Sequence, residues 1–321
     1  MRRPVLIIAC ALSLFAAAPA RAEAAGVAAA AKAEPMSLWP RSGLRDGGRH
    51  YAIKGQRVLV AGTLRPYVAG QAVAVTVSRR GRPSKLRAGV RKVGRDGRFL
   101  VAFTARRSGR YVVRARGAAT EDRGAITARP LAVRSIVPRV RRGSSGREVR
   151  LMQRGLARLG YVTPRSGRFD AGTGRALIAF RKVNGMARRP AASRAVLGKL
   201  FRGSGGFPLR YPKAGKHVEF DWSRQVLVLA RRGRAERIYH SSSGTIVTPT
   251  VFGSYSFYRK QPGTNAKEMV HSSYFIRGYA IHGYKSVPNY PASHGCLRVP
   301  IPNALSIYRW IELGDRISVY R

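Results

Sequence analysis

The stretch IHGYKSVPNYPASHGCLR, residues 281–298, holds the residues on which this chain's reading turns. It opens with His282-Gly283 and closes with Ser293-His294-Gly295-Cys296-Leu297-Arg298. A thiol is a nucleophile only as thiolate, so it needs a base or a positive neighbour to lower its pKa. Two histidines within 14 residues of Cys296, together with Arg298, offer both. Gly283 and Gly295 let backbone approach a substrate closely, and their N–H groups could join an oxyanion hole. As chemistry alone, the stretch reads as a Cys–His acyl-transfer site. The bland alternatives are a buried thiol, a histidine bonded to backbone and a surface arginine. Zinc is a further alternative, since His271, His282, His294 and Cys296 are ligands of suitable type. Against it, the chain has no CxxC, HExxH or HxH pairing here and no nearby Asp or Glu to orient a ligand. No metal and no cofactor is expected.

Around this stretch, residues 209–321 read mainly as strands. Val218/Phe220/Trp222 and Val226/Val228 alternate across a tight turn at Ser223-Arg224, and Arg232-Gly233 closes the next hairpin. A short helix is predicted over 304–311 with Asn303 as N-cap, then a last strand at Ile317/Val319. Upstream, Gly203-Ser204-Gly205-Gly206 is a linker. Before it, Val149, Met152, Leu156 and Leu159 recur at helical spacing up to Gly160. A second helix starts near Asp170 or Thr173 and a third carries Val196, Leu197, Leu200 and Phe201, giving a small three-helix bundle over 143–202. Residues 51–137 change to period two, as in Val58/Val60, Val73/Val75/Val77, Phe99/Val101/Phe103 and Tyr111/Val113/Ala115, which suggests an immunoglobulin-like β-sandwich. Residues 23–50 lack periodicity and read as a disordered lead-in. Residues 1–22 run basic, apolar, then small-x-small, the order of a secretory signal peptide whose cleavage removes Cys10. An uncleaved anchor is the alternative, but the apolar run is short, and no later stretch is long and apolar enough to be a membrane helix.

Two resemblances follow from these residues. The segment VRLMQRGLARLGY…GRFDAGTGRALIAFRKVNGM resembles the helical peptidoglycan-binding domain of cell-wall enzymes. It departs from that pattern at Met152-Gln153, at Arg181 in place of a glutamine, and at Ala187-Arg188-Arg189-Pro190 in place of a Gly-rich turn. A helical spacer is the alternative. His-Gly followed by Ser-His-Gly-Cys-x-Arg, with the upstream Gly244…Thr248-Pro249-Thr250, resembles the signature of L,D-transpeptidases with a YkuD-type catalytic domain. That resemblance implies a mainly-β catalytic domain over 209–321, with Cys296 as nucleophile and His282 as general base and acid. The Gly283 carbonyl would hold the His282 tautomer. His294 and Ser293 would shape the oxyanion and substrate side beside Gly295, and Arg298 would stabilise the loop or a substrate carboxylate.

Composition narrows the rest. The 321 residues include 61 Lys and Arg, 50 of them Arg, against 14 Asp and Glu, for a net charge of +47. So few carboxylates weigh against catalysis by a carboxylate pair and against oxygen-ligated Ca²⁺ or Mg²⁺. The surplus invites an anionic partner, although a GC-rich coding bias would produce it too. The expected protein is thus a multidomain, mainly-β, exported enzyme of the cell wall, periplasm or extracellular space. As the resemblance to L,D-transpeptidases implies, it would join peptidoglycan stem peptides by 3→3 cross-links through a Cys296 thioester, near glycan strands and anionic wall polymers. Alternatives are an L,D-carboxypeptidase using the same site and a non-catalytic wall-binding protein. No nucleic acid partner is expected: that reading requires a recognised module or basic residues interleaved with exposed aromatics, and the signal peptide argues against it.

Overall fold

A computed structural model describes residues 35–68, 70–79, 88–120 and 124–321. The signal peptide predicted over 1–22 and residues 23–34 of the lead-in lie outside the described residues. Strands β1 (Met36–Pro40), β2 (Leu44–Asp46) and β3 (Arg49–Ile53) come first, so the described part of the lead-in is ordered, against expectation. These strands are short, and Gly and Arg interrupt any alternation, so nothing local announces them. β1 is ordered by pairing with β4 (Arg57–Leu64), from Met36 opposite Leu64 to Pro40 opposite Val60.

β5 (Ala72–Arg79), β6 (Ala88–Lys92), β7 (Arg98–Thr104), β8 (Gly109–Gly117), β9 (Ile126–Thr127) and β10 (Leu131–Ile136) complete this region. One sheet runs β1-β4-β7; the other runs β2-β3-β10-β8-β5-β6, with β9 beside β8. The period-two residues Val58, Val60, Val101 and Phe103 share a core with Val73, Val75, Val77 and Val113 from the second sheet. β3 and β10 pair in parallel. The Tyr111 hydroxyl donates to the Arg107 carbonyl (2.9 Å) and accepts from the Arg107 N–H (3.1 Å).

Helices α1 (Arg147–Arg158), α2 (Ala171–Val183) and α3 (Arg194–Arg202) follow. Asp170 caps α2 by accepting from the Thr173 N–H at 2.8 Å, and Ser193 caps α3. Buried Gln153 donates to Thr173 Oγ1 (2.9 Å) and accepts from the Gly167 N–H (2.8 Å), tying α1 to the turn before α2. Gly160 has a left-handed φ of 91°, and a Cβ there would stand 2.6 Å from the Ala235 carbonyl oxygen. Only glycine lets residues 160–162 run along the sheet that follows, where the Gly160 carbonyl accepts from the Ile238 N–H at 2.8 Å.

That sheet is built from β11 (His217–Asp221), β12 (Val226–Arg231), β13 (Arg234–His240), β14 (Gly253–Ser256) and, last in the chain, β19. A second sheet contains β15 (Arg259–Thr264), β16 (Val270–Ile276), β17 (Tyr279–Tyr284) and β18 (Leu297–Pro300). Helix α4 (Ile301–Trp310) packs on β16 and β17, and β19 (Arg316–Tyr320) closes the first sheet, ordered β13-β12-β11-β19-β14. Arg232 and Gly233 both have positive φ, as a two-residue hairpin turn requires. α4 begins earlier than predicted and Pro300, not Asn303, is its cap, because Pro302 is well suited to a helix's first turn.

β11 and β12 depart from the expected half-buried alternation. Val218, Phe220, Leu227 and Leu229 enter the core shared with the second sheet. Val226, Val228 and Ile238 lie on the other face, in one core with Leu156, Leu177 and Phe180 of the helices. The helices thus cover the face that the alternation leaves for solvent.

One buried carboxylate holds this sheet's lower end. Glu219 accepts from the Arg210 N–H (3.0 Å), the Tyr211 N–H (2.8 Å), His217 Nε2 (3.1 Å) and the Tyr320 hydroxyl. The hydrogen bond to Glu219 raises the His217 pKa, with burial opposing it. Glu219→Ala is expected to lower stability by about 3 kcal/mol, measured by urea unfolding, because four donors lose their acceptor. Stability gained from His217 is fully present below its ordinary value of about 6.5. It is lost as pH rises through the raised value, and the variant should lack that dependence.

Candidate active site

β17 and β18 pair in parallel, with Ile281 opposite Leu297 and His282 opposite Arg298. Ile281 and Leu297 both enter the core, so His282 and Arg298 point from the other face. Cys296 packs against Ala280, two residues before His282 and on its face. The register therefore brings the thiol and the imidazole to one side of the same strand pair.

His282 is 3% exposed, and its Nδ1 lies 2.9 Å from the Gly283 carbonyl oxygen. That oxygen can only accept, which assigns the proton to Nδ1 and leaves Nε2 with a free lone pair. Burial lowers the His282 pKa to about 4, assisted by the Arg298 charge and opposed by the Gly283 bond. Burial likewise raises the Cys296 pKa, opposed by a bond from the Ala280 backbone and by the charges of Arg298 and Lys267. At rest the pair is a neutral thiol beside a neutral imidazole.

The turn carrying Cys296 is braced from inside. Ser293, expected on the substrate side, is buried; its Oγ donates to the Cys296 carbonyl (2.6 Å) and accepts from the Gly295 N–H (3.1 Å). The Gly295 N–H is thereby occupied, and Gly283 lies inside the ladder between Val270 and Val299. Neither glycine offers the oxyanion donor that the sequence suggested. Among the described residues, the backbone N–H groups of His294 and Cys296 make no hydrogen bond. Gly295 has a φ of 109°, and a Cβ there would stand 2.1 Å from the Tyr279 ring. At Gly283 a Cβ would stand 2.7 Å from the Ala304 Cβ, so the glycine lets α4 close on β17. Arg298 lays its guanidinium 4.1 Å over the Tyr284 ring and donates to the Ala292 carbonyl at 3.1 Å, both acts of loop support. The His294 side chain is exposed and makes no hydrogen bond among the described residues. The fold therefore places Cys296, His282, Gly283 and Arg298 together around β17 and β18 and leaves the His294 ring outside that set.

Thr250, quoted in the Gly…Thr-Pro-Thr segment without a role, is a site residue. Buried, it accepts from the Gly244 N–H (2.9 Å) and donates to the Gly295 carbonyl (2.7 Å), while Thr248 donates to the Ser293 carbonyl (3.1 Å). A Cβ at Gly244 would stand 2.7 Å from the Gly295 Cα. The Gly…Thr-Pro-Thr segment is thus the backing of the nucleophile turn, which its distance in sequence conceals. No three His, Cys, Asp or Glu side chains converge as a metal site among the described residues.

Residues 215–319 match the family described as YkuD, L,D-transpeptidase catalytic domain, and residues 145–188 match the peptidoglycan binding domain family. No curated protein matches the chain. Among solved structures, the L,D-transpeptidase (residues 123–326) from Xylanimonas cellulosilytica is 32% identical, covering 56% of this chain and 97% of that one with a TM-score of 0.52. An L,D-transpeptidase from Stackebrandtia nassauensis is 19% identical over 57% of this chain and 96% of that one, with a TM-score of 0.37. One from Mycobacterium smegmatis is 11% identical over 88% of this chain and 97% of that one, with a TM-score of 0.31. Those two are too distant to bear on this chain. The catalytic-domain match runs from the start of the β11 sheet into β19, and nearly the whole Xylanimonas structure is covered at 32% identity: this chain belongs to the L,D-transpeptidase family.

Proposed function

We propose that the protein is an exported L,D-transpeptidase that forms 3→3 cross-links in peptidoglycan. His282 Nε2 takes the thiol proton as Cys296 Sγ attacks the carbonyl at the L-to-D junction of a stem tetrapeptide. The N–H groups of His294 and Cys296 hold the oxyanion. His282 returns its proton to the leaving amine, and the terminal D-alanine departs. An amine of a second stem attacks the thioester, forming the new amide and freeing the thiol. The observation that carries this reading is the 2.9 Å bond from His282 Nδ1 to the Gly283 carbonyl, which leaves a basic Nε2 on the face of Cys296.

The other parts of the proposal have their own support. The basic, apolar and small-residue order of residues 1–22 supports export. The parallel β3–β10 pair and the Tyr111 hook to Arg107 support an immunoglobulin-like sandwich, and the shared core of α1, α2 and α3 supports a three-helix bundle that meets the wall. In this setting the strongly positive net charge that remains once residues 1–22 leave favours diffuse attraction to anionic wall polymers.

Incubating the purified protein with disaccharide-tetrapeptide tests the reaction. The expected products are free D-alanine and a dimer whose fragmentation places the link at the third residue of both stems. D-Alanine without dimer would assign a carboxypeptidase, and no D-alanine release would overturn the proposal.

A further inference from the structure

Between His282 and the nucleophile turn the chain crosses a loop, residues 285–292, whose course is set by β13, by the residues just after it and by the helical domain. His240 Nε2 donates to the Val287 carbonyl at 2.8 Å, and Ser242 Oγ donates to the Tyr290 carbonyl at 2.6 Å. Arg188, just past α2, donates through one guanidinium nitrogen to the Asn289 carbonyl (2.6 Å) and through the other to the Ser223 carbonyl (2.8 Å). The Asn289 side chain returns a bond to the Arg188 carbonyl at 2.9 Å.

A second tie leaves α2 itself. Lys182 is 4% exposed, and its Nζ bonds to His240 Nδ1 (2.8 Å), the Ser241 carbonyl (2.9 Å) and the Gln225 carbonyl (3.0 Å). Among the described residues no carboxylate shares this cage. Burial, aided by the Lys182 charge and opposed by the bond to the Val287 carbonyl, lowers the His240 pKa to about 3. The neutral ring therefore accepts at Nδ1 and donates from Nε2, passing the grip of α2 to Val287. Burial, aided by the Arg188 charge, lowers the Lys182 pKa to about 6, and the three partners around Nζ fix the amino group against β13 and the residue after it.

Arg181 and Arg188 are both departures from the peptidoglycan-binding sequence pattern, and both serve this contact. Arg181 is buried and donates to the Ala187 carbonyl (2.6 Å) and the Ala191 carbonyl (3.2 Å), which shapes the turn that presents Arg188.

We propose that Lys182 and Arg188 are positioning residues for acyl transfer, through which the peptidoglycan-binding domain braces the 285–292 loop and so sets the approach of Cys296 to His282. The proposal rests on Cys296 being the nucleophile. It assigns the domain a part in the chemical step that is separate from any hold on glycan.

The test uses the intact protein and a carbapenem in rapid-mixing experiments that separate the acylation rate constant at saturation from the inhibitor's binding constant. Arg188→Ala is expected to lower the saturating rate about 10-fold, with the binding constant and melting temperature nearly unchanged. Arg188→Lys, able to reach one of the two carbonyls, should recover part of that loss. Lys182→Met should lower the saturating rate at least as far, and both variants should speed amide exchange over 285–293. Should Lys182→Met fail to fold, the two Arg188 variants decide the matter. A wild-type saturating rate in Arg188→Ala, with unchanged exchange in the loop, would overturn the brace. Absence of any adduct on the wild-type protein would instead overturn the underlying enzyme reading.

Discussion

Cys296→Ala is expected to gain no carbapenem mass under conditions in which the wild-type protein gains one inhibitor equivalent, and to lose at least about 10³-fold in D-alanine release. The β-lactam carbonyl stands in for the stem peptide carbonyl, and ring opening leaves the whole inhibitor bound as a thioester. Cys296 is the one cysteine among the described residues. The chain's other cysteine, Cys10, lies in the predicted leader and is distinguished by peptide mapping. Because burial raises the Cys296 pKa, the thiol holds its proton at rest and should react slowly with a simple alkylating agent. Fast acylation with slow alkylation is the expected signature of a nucleophile activated only when substrate and base are in place. An adduct of equal yield on the alanine variant would end this account.

His282→Asn should lower the saturating acylation rate by about 10²–10³-fold, within the range that a positioned base contributes. The pH profile gives the sharper test. Burial lowers the His282 pKa to about 4, so the neutral, basic ring persists well below the pH at which an ordinary histidine protonates. The wild-type rate should therefore hold through mildly acidic solution and fall as pH drops through about 4, where protonation takes the Nε2 lone pair. The asparagine variant should lack that acid limb. An acid limb near the ordinary histidine value, or one that survives the substitution, would separate His282 from proton transfer.

The sequence shows what local pattern can encode. Period-two residues mark β4, β5, β7 and β8, helical spacing marks α1, and Cys296, His282 and Gly283 are visible because their chemistry is concentrated in a short stretch. β1 and β2 were hidden because their order comes from partners elsewhere in the chain, not from their own alternation. Two-sided burial of β11 and β12 was hidden for the same reason, since the covering helices are encoded far upstream. At the site, Ser293 was legible as a neighbour of Cys296 but not as an internal brace, because a hydroxyl's partner depends on the turn it sits in. Thr250 and Gly244 act on a turn more than 40 residues away, and no short-range signal announces that. Lys182 and Arg188 read as two more cations in a chain crowded with them; only their acceptors distinguish them.

The face shared by Val226, Val228 and Ile238 with Leu156, Leu177 and Phe180 bears on how this protein can be dissected. The catalytic-domain match begins at residue 215, yet a fragment cut there would carry a bare apolar sheet face into water, a template for self-association. It would also free the β13 edge that residues 160–162 now occupy. The unit of sequence homology and the unit of solubility are therefore different lengths of chain, and the shortest manageable catalytic fragment begins before α1.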